Sequence, residues 1–232
     1  MLWLLLRSRK NNAKGGVVMK IRWLGHSSFL ITAADGTRII TDPYGVYPDL
    51  NYAQIEETAD IMVVTHKHGD HYGAKVRGNP KMVTGAGIKK VGNIEFRGVE
   101  TFHDTSRGSQ RGSNTVFCFA VDGVRLCHLG DLGHSLSASD VAAVGPVDVL
   151  MIPVGGFYTI DAATASKVCD QMKPKVIIPM HYRNDKCAFP ITGVEDFLKG
   201  KTNVKRLNTS DLELKVGQLP ETTEIVVLRH AL

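Results

Sequence analysis

Three histidines and an aspartate are crowded into six consecutive positions directly after a short apolar segment. The apolar segment covers residues 61–64, and its β-branched residues are typical of a buried strand. The polar residues that follow it are His66, His68, Asp70 and His71. Imidazole and carboxylate groups are ligands of zinc, manganese or iron. The cluster therefore predicts a metal site at the end of a strand, against the alternative of a solvated histidine-rich loop.

Other metal-binding residue types also follow predicted strands. His103, Asp131 and His181 each come directly after an apolar, strand-like segment. Because rigid strand ends can place side chains at one edge of a sheet, we expect these residues to converge on the histidine-rich loop. Taken singly, each has an ordinary alternative: His103 as a satisfied histidine, Asp131 as a turn residue, and His181 as a stacking partner of Tyr182. Their joint occurrence favours the metal site.

The order of predicted elements indicates an α+β fold. Alternating or continuous apolar residues predict the strands, at 21–24, 29–32, 37–41, 61–64, 81–84, 94–102, 115–121, 124–129, 147–154, 175–179 and 224–229. Helices are predicted at 53–59, 72–76, 137–144, 162–172 and 194–198. Asp35-Gly36 and Asp122-Gly123 are typical of hairpin turns. Two antiparallel runs, each followed by strand–helix units, predict a four-layer αββα sandwich.

Length and composition fit one soluble domain, which we expect over residues 19–232. The chain has 232 residues, of which 43% are hydrophobic and 22% charged. Its net charge is +5, but four basic residues lie within residues 1–18, which hold no acid. The remainder is near neutral, so no nucleic-acid partner is expected. Four scattered cysteines without a CxxC pair favour reduced thiols and a cytoplasmic location.

The first 18 residues call for a separate interpretation. Residues 2–6 are apolar but too few to span a membrane, so no stable membrane insertion is expected. Their basic residues follow the apolar run, whereas a secretory signal places them before it. We expect a disordered extension or an upstream start, with a basic amphipathic anchor as the alternative.

These motifs resemble those of the metallo-β-lactamase superfamily. Its HxHxDH signature is present as His66-Lys67-His68-Gly69-Asp70-His71. Within the superfamily, the chain is most similar to small metal-dependent hydrolases that include the ascorbate-6-phosphate lactonase-like proteins. The supporting motifs, in chain order, are Gly25-His26-Ser27-Ser28-Phe29, Thr41-Asp42-Pro43, Phe102-His103-Asp104, Arg111-Gly112-Ser113-Asn114, His128-Leu129-Gly130-Asp131-Leu132-Gly133, Pro153-Val154-Gly155-Gly156 and Pro179-Met180-His181-Tyr182.

The resemblance implies a dinuclear metal site and a hydrolytic activity. The implied ligands are His66, His68 and His103 for one metal, Asp70, His71 and His181 for the other, and Asp131 for both. We expect two divalent ions, zinc first, with manganese or iron as alternatives. A hydroxide bridging them would attack a small ester, lactone or phosphoester, with Asp70 and Asp131 as catalytic residues.

Further positions are expected around this site. Asp42 and His26 would lie behind the ligands and orient them, although Asp42 could instead form a turn before Pro43. The expected contacts to a small, anionic substrate are Arg107, Arg111, Tyr158 and Arg183, although exposed arginines are often only solvated. The leaving-group proton donor is left open between His26, His134 and metal-bound water.

Two other functions stay open from the sequence. An iron-dependent redox enzyme can share this fold, but it usually adds a flavin domain or a different metal set. A non-catalytic metal-binding or regulatory protein would be expected to lose some ligands, whereas all seven are present here. A nuclease or an exported β-lactamase is disfavoured. The sequence does not decide between a monomer and a homo-oligomer.

Overall fold

The computed structural model describes residues 18–232, so the predicted N-terminal extension lies, except for Val18, outside the described residues. Within this range the chain forms fourteen strands and three helices. The strands are β1 (Met19–Gly25), β2 (Ser28–Thr32), β3 (Arg38–Thr41), β4 (Ile61–Val64), β5 (Lys81–Thr84), β6 (Gly87–Val91), β7 (Ile94–Phe102), β8 (Ser113–Val121), β9 (Val124–His128), β10 (Val149–Pro153), β11 (Val176–Met180), β12 (Val204–Arg206), β13 (Asp211–Leu214) and β14 (Glu224–Val227). The helices are α1 (Ala138–Val144), α2 (Ala162–Met172) and α3 (Val194–Leu198).

The strands form two sheets. The first has the order β13-β1-β2-β3-β4-β5, and the second has the order β12-β14-β11-β10-β9-β8-β7-β6. Both predicted hairpins are confirmed, since β2 pairs with β3 and β8 pairs with β9 in antiparallel register. Asp122 and Gly123 both have positive φ, at 50° and 79°. That combination is what a two-residue type I′ turn requires, and it matches the twist of the flanking strands.

Alternation along the strands of the first sheet places its two faces in different apolar clusters. Phe29 and Ile31 of β2 belong to the large core that also contains Phe117 of the second sheet. Leu30, between them in sequence, packs with Ile40 in a second cluster on the opposite face. Successive side chains of a strand point to opposite faces of the sheet, so Phe29 and Ile31 share one face and Leu30 lies on the other. The two sheets thus pack face to face around the main core.

The helices lie against the second sheet. α1 contacts β7 and β8, α2 contacts β10, and α3 contacts α2. Ser137 and Asp140 form a capping box at the start of α1, and Asp161 caps α2 by accepting from the amide of Thr164. The predicted α+β sandwich is confirmed. None of the helices in residues 18–232 is long and apolar enough to cross a membrane.

The helices predicted at 53–59 and 72–76 are wrong. The backbone around Glu57 and Ala59 bonds to Arg77, with Ala59 N donating to Arg77 O at 3.0 Å and Arg77 N donating to Glu57 O at 3.0 Å. Gly73 N and Ala74 N both donate to Pro43 O at 3.1 Å. These distant partners take the amide groups that a helix would have used internally. Irregular chain therefore covers the outer face of the first sheet.

Candidate metal centre

Polar side chains from both sheets meet at one edge of the sandwich. The loop after β4 supplies His66, His68, Asp70 and His71 from the first sheet. The second sheet supplies His103 after β7, Asp131 after β9 and His181 after β11. All seven are buried except His68, which is exposed. The structure therefore brings together every residue that the resemblance implied as a metal ligand.

The carboxylate of Asp131 lies at the centre of this group. Nε2 of His71 is 3.0 Å from Asp131 Oδ1. Nε2 of His103 is 3.0 Å, and Nε2 of His181 is 3.3 Å, from Asp131 Oδ2. One carboxylate thus faces imidazole nitrogens contributed by three separate strand ends.

Several of these buried atoms make no hydrogen bond within residues 18–232. They include Nε2 of His66, His71 and His181, and Oδ1 of Asp131. His71 and Asp131 approach closely, but their contact does not have the alignment of a hydrogen bond. Buried polar atoms without partners are costly and rare in folded proteins. The lone pairs of these nitrogen and oxygen atoms point to a common centre, which is the arrangement that a bound cation requires.

The ligand atoms form two separate groups of the size that a metal ion requires, and a third group, His66, His71 and Asp131, shares one histidine with each of them. Within each group, all ligand atoms lie within 4.8 Å of one another. The groups are His66, His68 and His103 on one side, and His26, Asp70, His71 and His181 on the other. Because His and carboxylate donors are suited to divalent transition metals, the residues present fit such ions.

Asp42 lies directly behind the ligands. Its Oδ2 accepts from Nδ1 of His71 at 2.9 Å and from the hydroxyl of Thr65 at 2.7 Å, and its Oδ1 accepts from the Thr65 amide at 2.8 Å. Since the Thr65 hydroxyl proton points to Asp42, Nδ1 of His66 donates to Thr65 Oγ1 at 3.0 Å. Both histidines therefore carry their proton on Nδ1 and turn the Nε2 lone pair towards the centre.

Two further contacts orient residues from the second sheet. Nδ1 of His103 donates to the backbone oxygen of Tyr158 at 3.1 Å. Asn114 accepts from the amide of Asp131 at 3.0 Å and donates to the oxygens of Thr101 and Leu129 at 2.8 and 2.9 Å. The Asp131 backbone is thereby tied to the neighbouring strands of the sheet.

Burial and neighbouring charges shift the pKa values of the side chains in this cluster in opposite directions. Burial, together with the neighbouring His71, lowers the pKa of His66 to about 3. Burial acts to lower the pKa of His71 as well, but the carboxylates of Asp131 and Asp70 outweigh it and raise that pKa well above its usual value. Burial acts to raise the pKa of Asp131, but His181 and His71 hold it well below its usual range. The carboxylates thus favour a positive charge at His71 when no cation is present, and a bound cation would take the place of the proton on its Nε2.

A cavity of about 210 Å³ opens onto this centre. It is smaller than most drug-sized sites, which indicates a small substrate. The guanidinium of Arg111 lies 5.6 Å from the centre of the Tyr158 ring, within the range of a cation–π contact. The lining residues are Tyr47, His68, Asp70, His103, Arg111, Asp131, Tyr158 and Phe189.

Two of the arginines expected at the substrate do not line this cavity. The carboxylate of Asp104 accepts from the amides of Ser106, Gly108, Gln110 and Arg111 at 2.7–3.0 Å. This folds the loop so that Arg107, at a positive φ of 56°, is exposed on its outer side. Arg183 is also exposed. Of the predicted substrate contacts, the cavity brings together Arg111 and Tyr158 alone among residues 18–232.

Two aromatic residues at the cavity were missed in the sequence. Tyr47 and Phe189 come from irregular segments, and their rings lie 6.0 Å apart in an edge-to-face arrangement. Such positions show no hydrophobic periodicity by which they could be recognised in the sequence.

His134, one of the three proton donors left open, has both ring nitrogens engaged by the backbone. Its Nε2 accepts from the amide of Phe102 at 3.1 Å, and its Nδ1 donates to Ser135 O at 2.9 Å. His134 is also not among the residues that line the cavity. This geometry does not favour His134 as the leaving-group acid.

Comparisons with known proteins agree with the fold and with the use of a metal. The family model described as the beta-lactamase superfamily domain matches residues 20–181. A UPF0173 metal-dependent hydrolase of Archaeoglobus fulgidus is 30% identical over 232 residues, covering 86% of this chain and 97% of the relative. A UPF0173 protein of Pyrococcus furiosus is 34% identical over 190 residues, covering 71% and 83%.

A solved structure is also similar over most of its length. It is the crystal structure of a candidate zinc-dependent hydrolase of the metallo-beta-lactamase superfamily from Thermotoga maritima, with 38% identity, a TM-score of 0.76, and coverage of 90% of this chain and 98% of that one. The chain therefore belongs to the metallo-beta-lactamase superfamily. Within it, the chain groups with the UPF0173 metal-dependent hydrolases.

Proposed function

We propose that this protein is a dinuclear metal-dependent hydrolase that acts on a small ester, lactone or phosphoester. The observation that carries the proposal is the convergence of two ligand groups around the buried carboxylate of Asp131, with several lone pairs unpaired within the described chain. The names of the relatives support hydrolysis with a metal. Zinc is the first candidate, because a similar solved structure is described as a candidate zinc-dependent hydrolase. Manganese and iron are the alternatives.

Each ligand has a role in this proposal. His66, His68 and His103 would hold one cation, Asp70, His71 and His181 would hold the other, and Asp131 would serve both. Asp42, Thr65 and the Tyr158 carbonyl fix the imidazoles in the tautomer that binds metal. When bound, the two cations would supply a water that is nucleophilic at neutral pH and an electrophile for the substrate oxygen.

The residues of the chain supply binding and orientation. Arg111 binds an anionic group of the substrate, since it is the Lys or Arg side chain that reaches the cavity within residues 18–232. Tyr47, Tyr158 and Phe189 form an aromatic wall that contacts the rest of the substrate and limits water. Burial acts to raise the pKa of Asp70, but His71 and His26 outweigh it and lower that pKa. Asp70 is therefore a carboxylate that can orient the attacking water.

Lactones that carry a phosphate are the first substrates to test, because Arg111 reaches the cavity and the sequence motifs resemble those of the ascorbate-6-phosphate lactonase-like proteins, a likeness that the comparisons do not test. A panel of lactones, phosphomonoesters, phosphodiesters and simple esters would be assayed with protein purified without added metal, after its metal content is measured. We expect about two metal equivalents per chain and turnover of one of these classes.

Asp131→Ala tests whether the centre carries that activity. The substitution should reduce turnover by more than about 100-fold, the upper end of what changes behind metal ligands cost. Unchanged turnover in this variant would contradict the proposal. A metal-loaded protein that turns over none of the panel would favour the regulatory alternative, and oxygen-dependent chemistry with bound iron would favour the redox one. A cytoplasmic location stays a prediction of the sequence.

A further inference from the structure

His26 stands in the turn between β1 and β2 with an unusual backbone. Its φ is 50°, a left-handed value that few residues other than glycine adopt. Gly25 before it has φ 135°, and a Cβ there would lie 2.6 Å from the Tyr52 ring. The His26 carbonyl accepts from Trp23 Nε1 at 3.0 Å and from the His181 amide at 3.3 Å. Strain of this kind is retained where the surrounding structure holds a residue in place.

The side chain of His26 is fully buried and has no hydrogen-bonding partner among residues 18–232. Neither Nδ1 nor Nε2 is bonded. His128, which is equally buried, shows the ordinary arrangement: its Nε2 donates to Ser27 O at 2.8 Å and its Nδ1 accepts from the Gly130 amide at 3.0 Å. A buried imidazole with neither nitrogen satisfied calls for a partner of another kind.

The imidazole of His26 points into the group formed by Asp70, His71 and His181. Its Nε2 lies 3.4 Å from Asp70 Oδ2, and the four ligand atoms are all within 4.8 Å of one another. Neighbouring ligands of a four- or five-coordinate zinc ion, each about 2.0–2.1 Å from the metal, are separated by about 2.8–3.6 Å. The distance between His26 Nε2 and Asp70 Oδ2 is thus in the range expected for two ligands of one ion.

Packing alone does not account for this position. The His26 ring lies 4.1 Å from that of His181 and 5.6 Å from that of Phe189, measured between centroids. These contacts involve the ring faces and edges and leave both nitrogens unbonded. The contact with Asp70 lacks the geometry of a hydrogen bond. His26 is also not among the residues lining the cavity, which does not favour it as the proton donor to a leaving group.

We propose that His26 is a protein ligand of the cation held by Asp70, His71 and His181, an assignment that rests on the proposed dinuclear function and extends its ligand set. With Asp131, this cation would then have five protein ligands, whereas the cation of His66, His68 and His103 would have four. The position with fewer protein ligands is the one that includes the exposed His68, next to the cavity. It is therefore the position better able to accept substrate.

The direct test is a crystal structure of the unaltered chain loaded with Zn²⁺, with the ions located by anomalous scattering. We expect Nε2 of His26 at about 2.0–2.3 Å from the ion that contacts Asp70 and His71. An ion at that position with both His26 nitrogens more than about 3 Å away would overturn the inference and leave the dinuclear function intact. If Zn²⁺ occupied neither ligand group, the proposed function would fail together with this assignment.

A competition titration tests the same assignment in solution. Metal-free wild type, His26→Ala and the control His134→Ala would be titrated with Zn²⁺ against a chromophoric chelator. We expect wild type and His134→Ala to bind two ions alike, and His26→Ala to bind one ion normally and the other at least about tenfold more weakly. Truncation of the buried His26 ring leaves a cavity, so metal-free His26→Ala should unfold at a lower temperature than wild type, and the titrations are run well below that midpoint.

Two unchanged binding constants in folded His26→Ala would overturn the assignment. The crystal measurement uses the unaltered chain, so it decides the question if His26→Ala does not fold.

Discussion

Oδ2 of Asp42 lies 2.9 Å from Nδ1 of His71, and both side chains are fully buried. Asp42 accepts two more hydrogen bonds from Thr65, so its carboxylate is held by three donors and faces His71 in one orientation. Its backbone has a positive φ of 39°. A carboxylate behind an imidazole fixes the ring and raises its basicity as a ligand.

Asp42→Asn should therefore weaken metal binding without removing a ligand. An amide has no charge and only one acceptor oxygen, so it cannot accept from His71 and from both Thr65 donors, and we expect a loss of about 10–100-fold in Zn²⁺ affinity with a parallel loss of turnover. Competition with a chelator and steady-state assays measure both. Asp170→Asn, an exposed position on α2, is the matched control and should change neither. Wild-type affinity in Asp42→Asn would show that Asp42 only forms a turn.

Removing the metal should lower the stability of the whole sandwich. The ligands come from the ends of strands in both sheets, so their unpaired atoms are held together only by the fold when no cation neutralises them. A ligand present at about 100 times its Kd adds roughly 2.7 kcal/mol to the free energy of unfolding. We expect treatment with a chelator to lower Tm by several degrees and Zn²⁺ to restore it. A Tm that is the same with and without chelator would argue against metal binding at this centre.

Arg111→Ala should raise KM for anionic substrates more than it lowers kcat. Hydrogen bonds to charged groups contribute about 1.5–3 kcal/mol, which corresponds to roughly 10–100-fold in kcat/KM. Arg107→Ala is the matched control, since Arg107 lies in the same loop but outside the cavity. If the two variants behave alike with a phosphorylated substrate, Arg111 does not contact its charge.

The loop that carries both arginines should depend on Asp104. Burial acts to raise the pKa of the Asp104 carboxyl, but four backbone N–H donors outweigh it and lower the pKa to about 2. A depressed pKa means that the stabilisation is present above the usual pKa of an aspartate and is lost as the pH falls through about 2. Asp104→Ala removes it at neutral pH, and we expect faster trypsin cleavage after Arg107 and Arg111. Asp170→Asn should leave the cleavage rate unchanged, and an equally slow rate in Asp104→Ala would contradict this account.

Much of the centre could be predicted because each implied ligand follows a recognisable apolar strand. His103, Asp131 and His181 all lie where strands β7, β9 and β11 end. The missed strands are short edge strands, β6, β12 and β13. In β6 no residue is buried, so local sequence carries little signal.

The remaining errors concern contacts between distant segments. The amides around Ala59 pair with Arg77, and those of Gly73 and Ala74 pair with Pro43, which no local propensity reveals. The aromatic wall is of the same kind, because Tyr47 and Phe189 meet although 142 positions separate them in the sequence. His26 lay within a recognised motif, but its lack of hydrogen bonds is visible only in three dimensions.

The exposure of His68 has a consequence for how ions would exchange with solvent. Its imidazole is exposed at the cavity, whereas His26, Asp70, His71 and His181 are buried. An ion coordinated by His68 has a short route to a chelator, while its neighbour can leave only after buried ligands separate. We therefore expect a chelator to remove the two ions in two kinetic phases. After the first phase, the protein would hold a single ion, coordinated by the buried ligands.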